Sequence, residues 1–346
     1  MLYKELIVDY IDTPKGKIPV VPNSLNFQDL LGTLKVRLNV GRMKYSIEPG
    51  LYAVGQPGEN APVMVTANYK LTFDALRKEL ENTNAWILVL DTKGINVWCA
   101  AGKGTFGTKE LVKRIKETGL DKIVNHRKLL VPQLGAVGVS AHKVKNISGF
   151  KVIYGPIRAK DIPEYIHSGY KASDEMRAVR FNTWDRLVLT PLEFVQGFKY
   201  VFILMVVFFV LSGLNSSGYS INMMLNTGKL SIIALMTAYI AGTIFTPLLL
   251  PWFTTPAFAA KGFYVMVPLY IIMYQIFPEF QTISLVEKFS WFFIMTPISS
   301  FFAMNFTGAS TYTSLSGVKK EMKYAVPLQI ISLVTGFILW MVKRFF

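Results

Sequence analysis

The sequence predicts two dissimilar halves: an α/β domain built on a parallel, Rossmann-like sheet, followed by an all-α transmembrane domain of about five helices. Three observations carry that expectation. Hydrophobic residues make up 51% of the 346 and mean hydropathy is +0.35, too apolar for an ordinary soluble domain. From residue 61 onward, short apolar runs alternate with helix-periodic segments, the pattern of a parallel sheet. Beyond residue 198 the charges thin out and long apolar stretches take over. The expected boundaries are 1–172 for the α/β domain, with an irregular lead-in over 1–60, then a linker over 173–197 and the membrane domain over 198–346.

The lead-in is punctuated by Pro14, Pro19, Pro22, Pro49 and Pro57, with a short extended piece over 34–38. Val63–Ala67 is an apolar run bounded by turn residues and fits a buried strand. The segment 72–80 has helical periodicity with Thr72 as its expected cap. A second buried strand covers 86–90 and ends in Asp91 and the turn Thr92-Lys93-Gly94. A helix is expected over 108–118, starting at a Thr cap. Further strands are expected at 129–131, 136–139 and 151–154, with short helices at 140–146 and 162–167, the latter with Pro163 in its first turn.

Between the second strand and the 108–118 helix lies N-V-W-C-A-A-G-K-G-T-F-G-T, residues 96–108, which holds Cys99, the only cysteine of the chain. Over 97–103 a short helix would align Asn96, Cys99, Gly102 and Lys103 on one face. A free cysteine is often a small buried hydrophobe. A lone thiol cannot build a disulfide within the chain, a usual zinc site or an iron–sulfur cluster. The functional alternatives are nucleophile, redox sensor or single axial ligand to a metal carried by a cofactor; His126, His142 and His167 lie in other segments. In open α/β sheets, ligands bind beyond the carboxyl ends of the strands, which is where Asp91 leads into this stretch. Thr66 and Asn68, at the end of the first strand, are weaker candidates for lining the same site.

Gly102-Lys103-Gly104-Thr105-Phe106-Gly107 matches G-x-G-x-x-G, yet it neither follows a strand directly nor precedes a well-placed acid, so a nicotinamide or flavin site is not expected. The glycines and the helix starting at Thr108 could still receive an anionic group of a larger cofactor. Formal charge is +15, split as +9 on residues 1–196 and +6 on 197–346. No nucleic-acid motif accompanies it, and contact with anionic lipid or an acidic partner is the simpler explanation. Residues 1–15 mix Lys4, Glu5, Asp9 and Asp12 with scattered apolar residues and show no secretory signal. The first domain is therefore expected in the cytoplasm, where thiols stay reduced.

The linker alternates Arg177, Arg180 and Arg186 with Met176, Phe181, Trp184 and Leu187, as an amphipathic segment on membrane lipid would. Spans are expected at about 198–215, 230–250, 263–280, 289–306 and 325–342. Five crossings from a cytoplasmic start leave the loop at 307–324 inside, and its Lys319, Lys320 and Lys323 agree with the positive-inside rule, although Lys343 and Arg344 oppose it. No acid or base falls at the middle of any expected span, which argues against ion-coupled transport. The hydroxyl-rich 305–323 stretch is either a solvated loop or a docking surface.

The run at 96–108 resembles the signature of the mercury-methylation corrinoid protein family, HgcA. P-V-M-V-T-A-N-Y-K-L-T-F-D, at 62–74, is similar to a segment shared by that family and the large subunit of the corrinoid iron–sulfur protein of the reductive acetyl-CoA pathway. The likeness covers roughly residues 50–170 and the order of domains. A histidine-ligating cobalamin pattern, Asp-x-His-x-x-Gly, is not supplied by Asp91-Thr92-Lys93-Gly94. The resemblance implies a corrinoid cofactor with Cys99 as the lower axial ligand to cobalt. It places Asn96, Val97, Trp98, Ala100, Ala101, Gly102, Lys103 and Gly104 around it, with Ala100 and Gly102 keeping the surface low beside the sulfur. It also implies methyl transfer to Hg(II), as a carbanion or radical. Reduction would come from a ferredoxin-like, HgcB-like iron–sulfur partner, and methyl groups from methyltetrahydrofolate through another methyltransferase. The expected location is the inner, cytoplasmic membrane. The alternatives are a corrinoid methyl carrier serving another acceptor, and a non-enzymatic corrinoid-binding or transport protein.

Overall fold

The computed structural model describes residues 6–346; the first five, part of the opening stretch read as lacking a secretory signal, lie outside the described residues. Two compact units are present: Met1–Val36 with Val40–Arg180, and Arg37–Asn39 with Phe181–Phe346.

The first unit runs β1 (Asp9–Thr13), β2 (Gly16–Val21), α1 (Phe27–Arg37), β3 (Gly50–Val54), β4 (Val63–Ala67), α2 (Lys70–Arg77), β5 (Ala85–Leu90), α3 (Val97–Gly102), α4 (Thr108–Thr118), β6 (Lys128–Val131), α5 (Ala141–Ser148), β7 (Lys151–Tyr154) and α6 (Ile162–His167). Among the described residues, seven strands form one sheet in the order β1-β2-β3-β5-β4-β6-β7. The block β5-β4-β6-β7 is parallel throughout, with Val63 opposite Trp86 and Leu129 opposite Val152. β4 (V-M-V-T-A) and β5 (A-W-I-L-V-L) are buried at every position, which is why they read as continuous apolar runs rather than alternating ones. Val65, Leu88 and Leu90 point into the core shared with α3 and α4, while Met64, Ile87 and Val89 point into the core shared with α2.

The lead-in is not irregular. It supplies β1, β2, α1 and β3, which extend the sheet past β5 through an antiparallel β3–β5 pair and an antiparallel β1–β2 hairpin. The sheet is therefore parallel-rich rather than parallel. The expected extended piece at 34–38 is largely the end of α1, and 136–139 is a loop rather than a strand. α2 begins after Tyr69, not at Thr72. The expected Thr cap of the next helix is Gly107, and Thr108 is its first residue.

In the second unit, five helices among the described residues are long and apolar enough to cross a membrane: Thr183–Leu211, Ile221–Trp252, Phe258–Ile276, Leu285–Gly308 and Ser316–Phe345. Their number agrees with the sequence, although each starts before its expected span and the first and third also end before it. The third starts early enough to include Lys261, which is buried with its ammonium 4.6 Å from the Phe258 ring and 5.2 Å from the Tyr312 ring. Two of the arginines expected on a lipid surface are committed within the protein. Arg177 donates to Gln133 Oε1 at 2.6 Å, and buried Arg186 donates to the carbonyls of Phe181 and Leu248 at 2.6 and 3.2 Å.

Candidate functional site

Strand order β5-β4-β6-β7 reverses direction at β4: the chain first moves outward from β4 to β5, then returns to the other side of β4 as β6. The carboxyl ends of β4 and β6 are thus the topological switch point, where the flanking loops diverge and leave a crevice. The Cys99 segment belongs to this crossover. It leaves β5 at Leu90, turns through Lys93 and Gly94, both in the left-handed region (φ 60° and 70°), and enters α3.

Asn68, the residue after β4, fixes that turn. Its Oδ1 accepts from the backbone N–H groups of Thr92 and Gly94, each at 3.0 Å, and lies 2.8 Å from the Thr92 hydroxyl. Its own N–H donates to the Leu90 carbonyl at 3.0 Å. Asn68 is buried and brackets the turn. Thr66 is also buried, and it alternates with Val65 and Ala67, which face the core shared with α3.

α3 is only six residues long and relies on its cap. Asn96, extended at φ −63° and ψ 162°, accepts from the Cys99 N–H through Oδ1 at 2.9 Å. The helix then divides by face. Val97, Ala100 and Ala101 are buried in the sheet core, whereas Trp98, Cys99, Gly102, Lys103 and Gly104 are exposed. Ala100 therefore does not shape the surface beside the sulfur; its methyl group anchors the helix from below. Cys99 is exposed rather than packed, which removes the reading of it as a small core hydrophobe. Trp98, adjacent to it, leaves 45% of its surface uncovered. A Cβ added at Gly102 would meet nothing within 4 Å, so no neighbour in the protein requires glycine there. Gly104, by contrast, holds φ at +80° and ends the helix.

The loop after β6, which includes the expected strand 136–139, forms the floor under α3. A Cβ at Gly135 would lie 2.5 Å from the Phe106 ring, and one at Gly138 would overlap the Phe106 carbonyl oxygen and stand 3.2 Å from Ala101 Cα. Only glycine permits so close an approach. The same loop occupies the start of α4: Thr108 N–H donates to Gly138 O at 3.1 Å, and Ser140 N–H donates to Thr108 Oγ1 at 2.8 Å. Glu110, in the first turn, accepts from Asp91 N–H at 2.9 Å and pairs with Arg114 at 2.7 Å. At the α4 N-terminus, expected to receive an anion, the Thr108 N–H is thus bonded within the protein. Burial pushes the Asp91 carboxyl up, but hydrogen bonds and charge from Lys93 outweigh it and hold it below the usual carboxylate range.

Among the described residues no group of three or more His, Cys, Asp or Glu side chains could hold a metal ion. A cavity of about 720 Å³ lies in the helical unit, between residues such as Phe263, Phe293, Pro297 and Gln329, and includes none of the Cys99 segment. The exposed residues at α3, Trp98, Cys99, Gly102 and Lys103, form a platform on the surface of the first unit.

The first unit is thus an α/β domain whose parallel-rich sheet has a topological switch point at the carboxyl ends of β4 and β6. Residues 16–166 match the family described as CO dehydrogenase/acetyl-CoA synthase delta subunit. The chain is 34% identical over 127 residues to the acetyl-CoA decarbonylase/synthase complex subunit gamma of Methanopyrus kandleri, covering 36% of this chain and 27% of that one. It is 29% identical over 173 residues to the corresponding subunit of Archaeoglobus fulgidus, covering 49% and 36%. Similarity to the corrinoid/iron-sulfur protein large subunit of Moorella thermoacetica is 34% over 118 residues, covering 34% and 26%. The chain therefore spans about a quarter to a third of the length of these relatives.

Proposed function

We propose that this chain is a membrane-anchored, corrinoid-dependent methyltransferase that delivers a methyl group to inorganic Hg(II), with the Cys99 thiolate as lower axial ligand to the corrinoid cobalt. The observation that carries the reading is the exposed Cys99 on a capped helix at the carboxyl edge of the sheet, with open space over Gly102. The donor chemistry fits: a single soft sulfur is a competent axial ligand for a metal already held by a macrocycle, and the thiolate is the ligating form. A corrinoid held by Cys99 would supply a transferable methyl group, and a strongly donating sulfur would favour its delivery to a soft acceptor such as Hg(II).

The chain's own residues bind and orient. Asn96 holds the Cys99 backbone, Val97, Ala100 and Ala101 fix the helix to the sheet, Gly102 leaves room for a flat ligand, and Trp98 offers an uncovered ring. Lys103 is exposed one turn beyond Cys99, where it can meet polar side chains of the ligand. These 346 residues include a single cysteine and so hold no iron–sulfur cluster of their own, and in this reading a ferredoxin-like iron–sulfur partner supplies electrons for repeated turnover. Methyl groups would arrive from methyltetrahydrofolate through another methyltransferase. The five membrane-length helices anchor the chain in the cytoplasmic membrane, with the α/β domain on the cytoplasmic side.

A second reading is favoured by the relatives, whose names place them in acetyl-CoA decarbonylase/synthase complexes: a corrinoid methyl carrier serving another acceptor. Exposing the full chain, loaded with methylcobalamin, to Hg(II) separates the two. Methylmercury formed with wild-type protein and strongly reduced in Cys99→Ala supports mercury methylation. Retention of the methyl group with Hg(II), combined with transfer to a different acceptor, supports the carrier and rejects the first reading.

A further inference from the structure

Helix α1 faces the opposite way from an ordinary surface helix. At 100° per residue Phe27, Leu30, Leu31 and Leu34 fall on one stripe, the side that would normally be buried. All four are exposed, Phe27 by 76% and Leu34 by 55%, and Met43 beyond the helix by 74%. The face turned inward carries Asp29, Gly32 and Val36. A helix that packs its polar side and displays about 11 Å of apolar side chains has an unmet partner.

The helix is rigid before any partner arrives. Asn26 Oδ1 accepts from Asp29 N–H at 2.9 Å, and Asp29 Oδ2 accepts from Asn26 N–H at 3.0 Å, a reciprocal cap. The Asp29 carboxylate also bridges Lys70 at 2.5 Å and Arg77 at 2.6 Å, both on α2, and Asp74 completes this buried network at 2.6 and 2.8 Å from the same two cations. The apolar stripe is thus held outward by buried ion pairs and is not a frayed terminus.

We propose that α1 lies in the headgroup boundary of a bilayer containing anionic lipid, with its leucine stripe toward the acyl chains and Lys35 and Lys44 against the headgroups. Both lysines are exposed and flank the stripe, which supplies the charge complementarity. The stripe is aliphatic apart from Phe27 and lacks the Tyr, Trp and Arg anchors that dominate protein–protein contacts. The five membrane-length helices of the same chain keep a bilayer at high effective concentration. The proposal is independent of the corrinoid reading. Because α1 is fastened to α2, the sheet follows α1 onto the surface.

The test uses the full chain in nanodiscs, in a Cys99→Ala background, with a nitroxide on Leu34→Cys and, as reference, on Lys17→Cys of β2, which is exposed. Both sites are on the surface, so neither label disturbs packing. In discs of phosphatidylethanolamine and phosphatidylglycerol, the label at 34 is expected to collide with oxygen severalfold more, relative to a water-soluble nickel chelate, than the label at 17. Discs of phosphatidylcholine, or the Lys35→Glu/Lys44→Glu pair, should restore much of the nickel accessibility. The proposal is overturned if the label at 34 meets nickel as freely as the label at 17. Shielding from both reagents also overturns it, since that marks a protein contact, and an oxygen preference indifferent to lipid charge removes the anionic specificity.

Discussion

Replacing Asn68 by alanine asks whether one buried amide, rather than the short helix itself, keeps Cys99 in position. Its Oδ1 is the acceptor for the N–H groups of Thr92 and Gly94 at 3.0 Å. The Thr92 hydroxyl has a second acceptor, the Ile95 carbonyl at 2.6 Å, so its loss is small. Leaving a buried N–H unpaired costs about 1–3 kcal/mol, and a neutral hydrogen bond contributes about 1 kcal/mol. Thr92 is fully buried and Gly94 only partly, so the first figure applies to Thr92 and the second to Gly94. The total is about 2–4 kcal/mol, confined to the turn because the β4–β5 ladder is untouched. At about 1.4 kcal/mol per factor of ten, this corresponds to amide exchange faster by about 30- to 1,000-fold in residues 92–95. Hydrogen–deuterium exchange on the full chain in nanodiscs measures it, with β6 as an internal reference that should not change. Equal acceleration in β6 would mean global unfolding, and no acceleration in 92–95 would refute the bracket.

Three further outcomes are expected. Gly102→Ala should leave thermal stability unchanged or raised by up to about 1 kcal/mol, since the helix gains propensity and the new Cβ meets nothing; cobalamin binding, measured by equilibrium titration, should weaken because the platform loses its low point. Gly138→Ala should cost about 1–3 kcal/mol by driving a methyl group into the Phe106 carbonyl, and the Cys99 alkylation rate should change with it as α3 shifts. Burial pushes the Asp29 carboxyl up, but Lys70, the Asn26 N–H and Arg77 outweigh it and hold its pKa below the ordinary carboxylate value of about 3.9. As pH falls, the unfolded state therefore takes up the proton first. The contribution is complete above that ordinary value and is lost as pH drops through the lowered one, which exchange of α1 amides against pH detects. Asp29→Asn should abolish that dependence and cost about 3–5 kcal/mol, because Lys70 and Arg77 lose a buried partner.

The elements nearest the site were legible because their signals are local. β4 and β5 are apolar runs closed by turn residues, and the turn at Lys93-Gly94, the helix at Cys99 and the helix over 108–118 follow from spacing and caps. The lead-in was misread because Pro19 and Pro22 suggested irregular chain, yet Pro19 lies in β2, paired only with Tyr10 of the outermost strand, where a missing N–H is tolerated. α1 was overlooked for a related reason: its apolar periodicity is regular, but it breaks the expectation that such a stripe faces the core. Within the site, Cys99 and Asn96 stand out by residue type and position. The glycines at 135 and 138 do not, since their requirement comes from Phe106 and Ala101, some thirty residues away in sequence. The tie that Asn68 makes to the 92–94 turn is not legible either, because a polar residue at a strand end is ambiguous between lining a crevice and tying its walls together.

Ligation of cobalt by Cys99 is tested most directly by the optical and EPR spectrum of the full chain reconstituted with cobalamin beside its Cys99→Ala counterpart. A sulfur-ligated spectrum is expected in the wild type, giving way to a base-off spectrum in the variant with cobalamin still bound. Identical spectra for the two proteins would rule out Cys99 as the ligand.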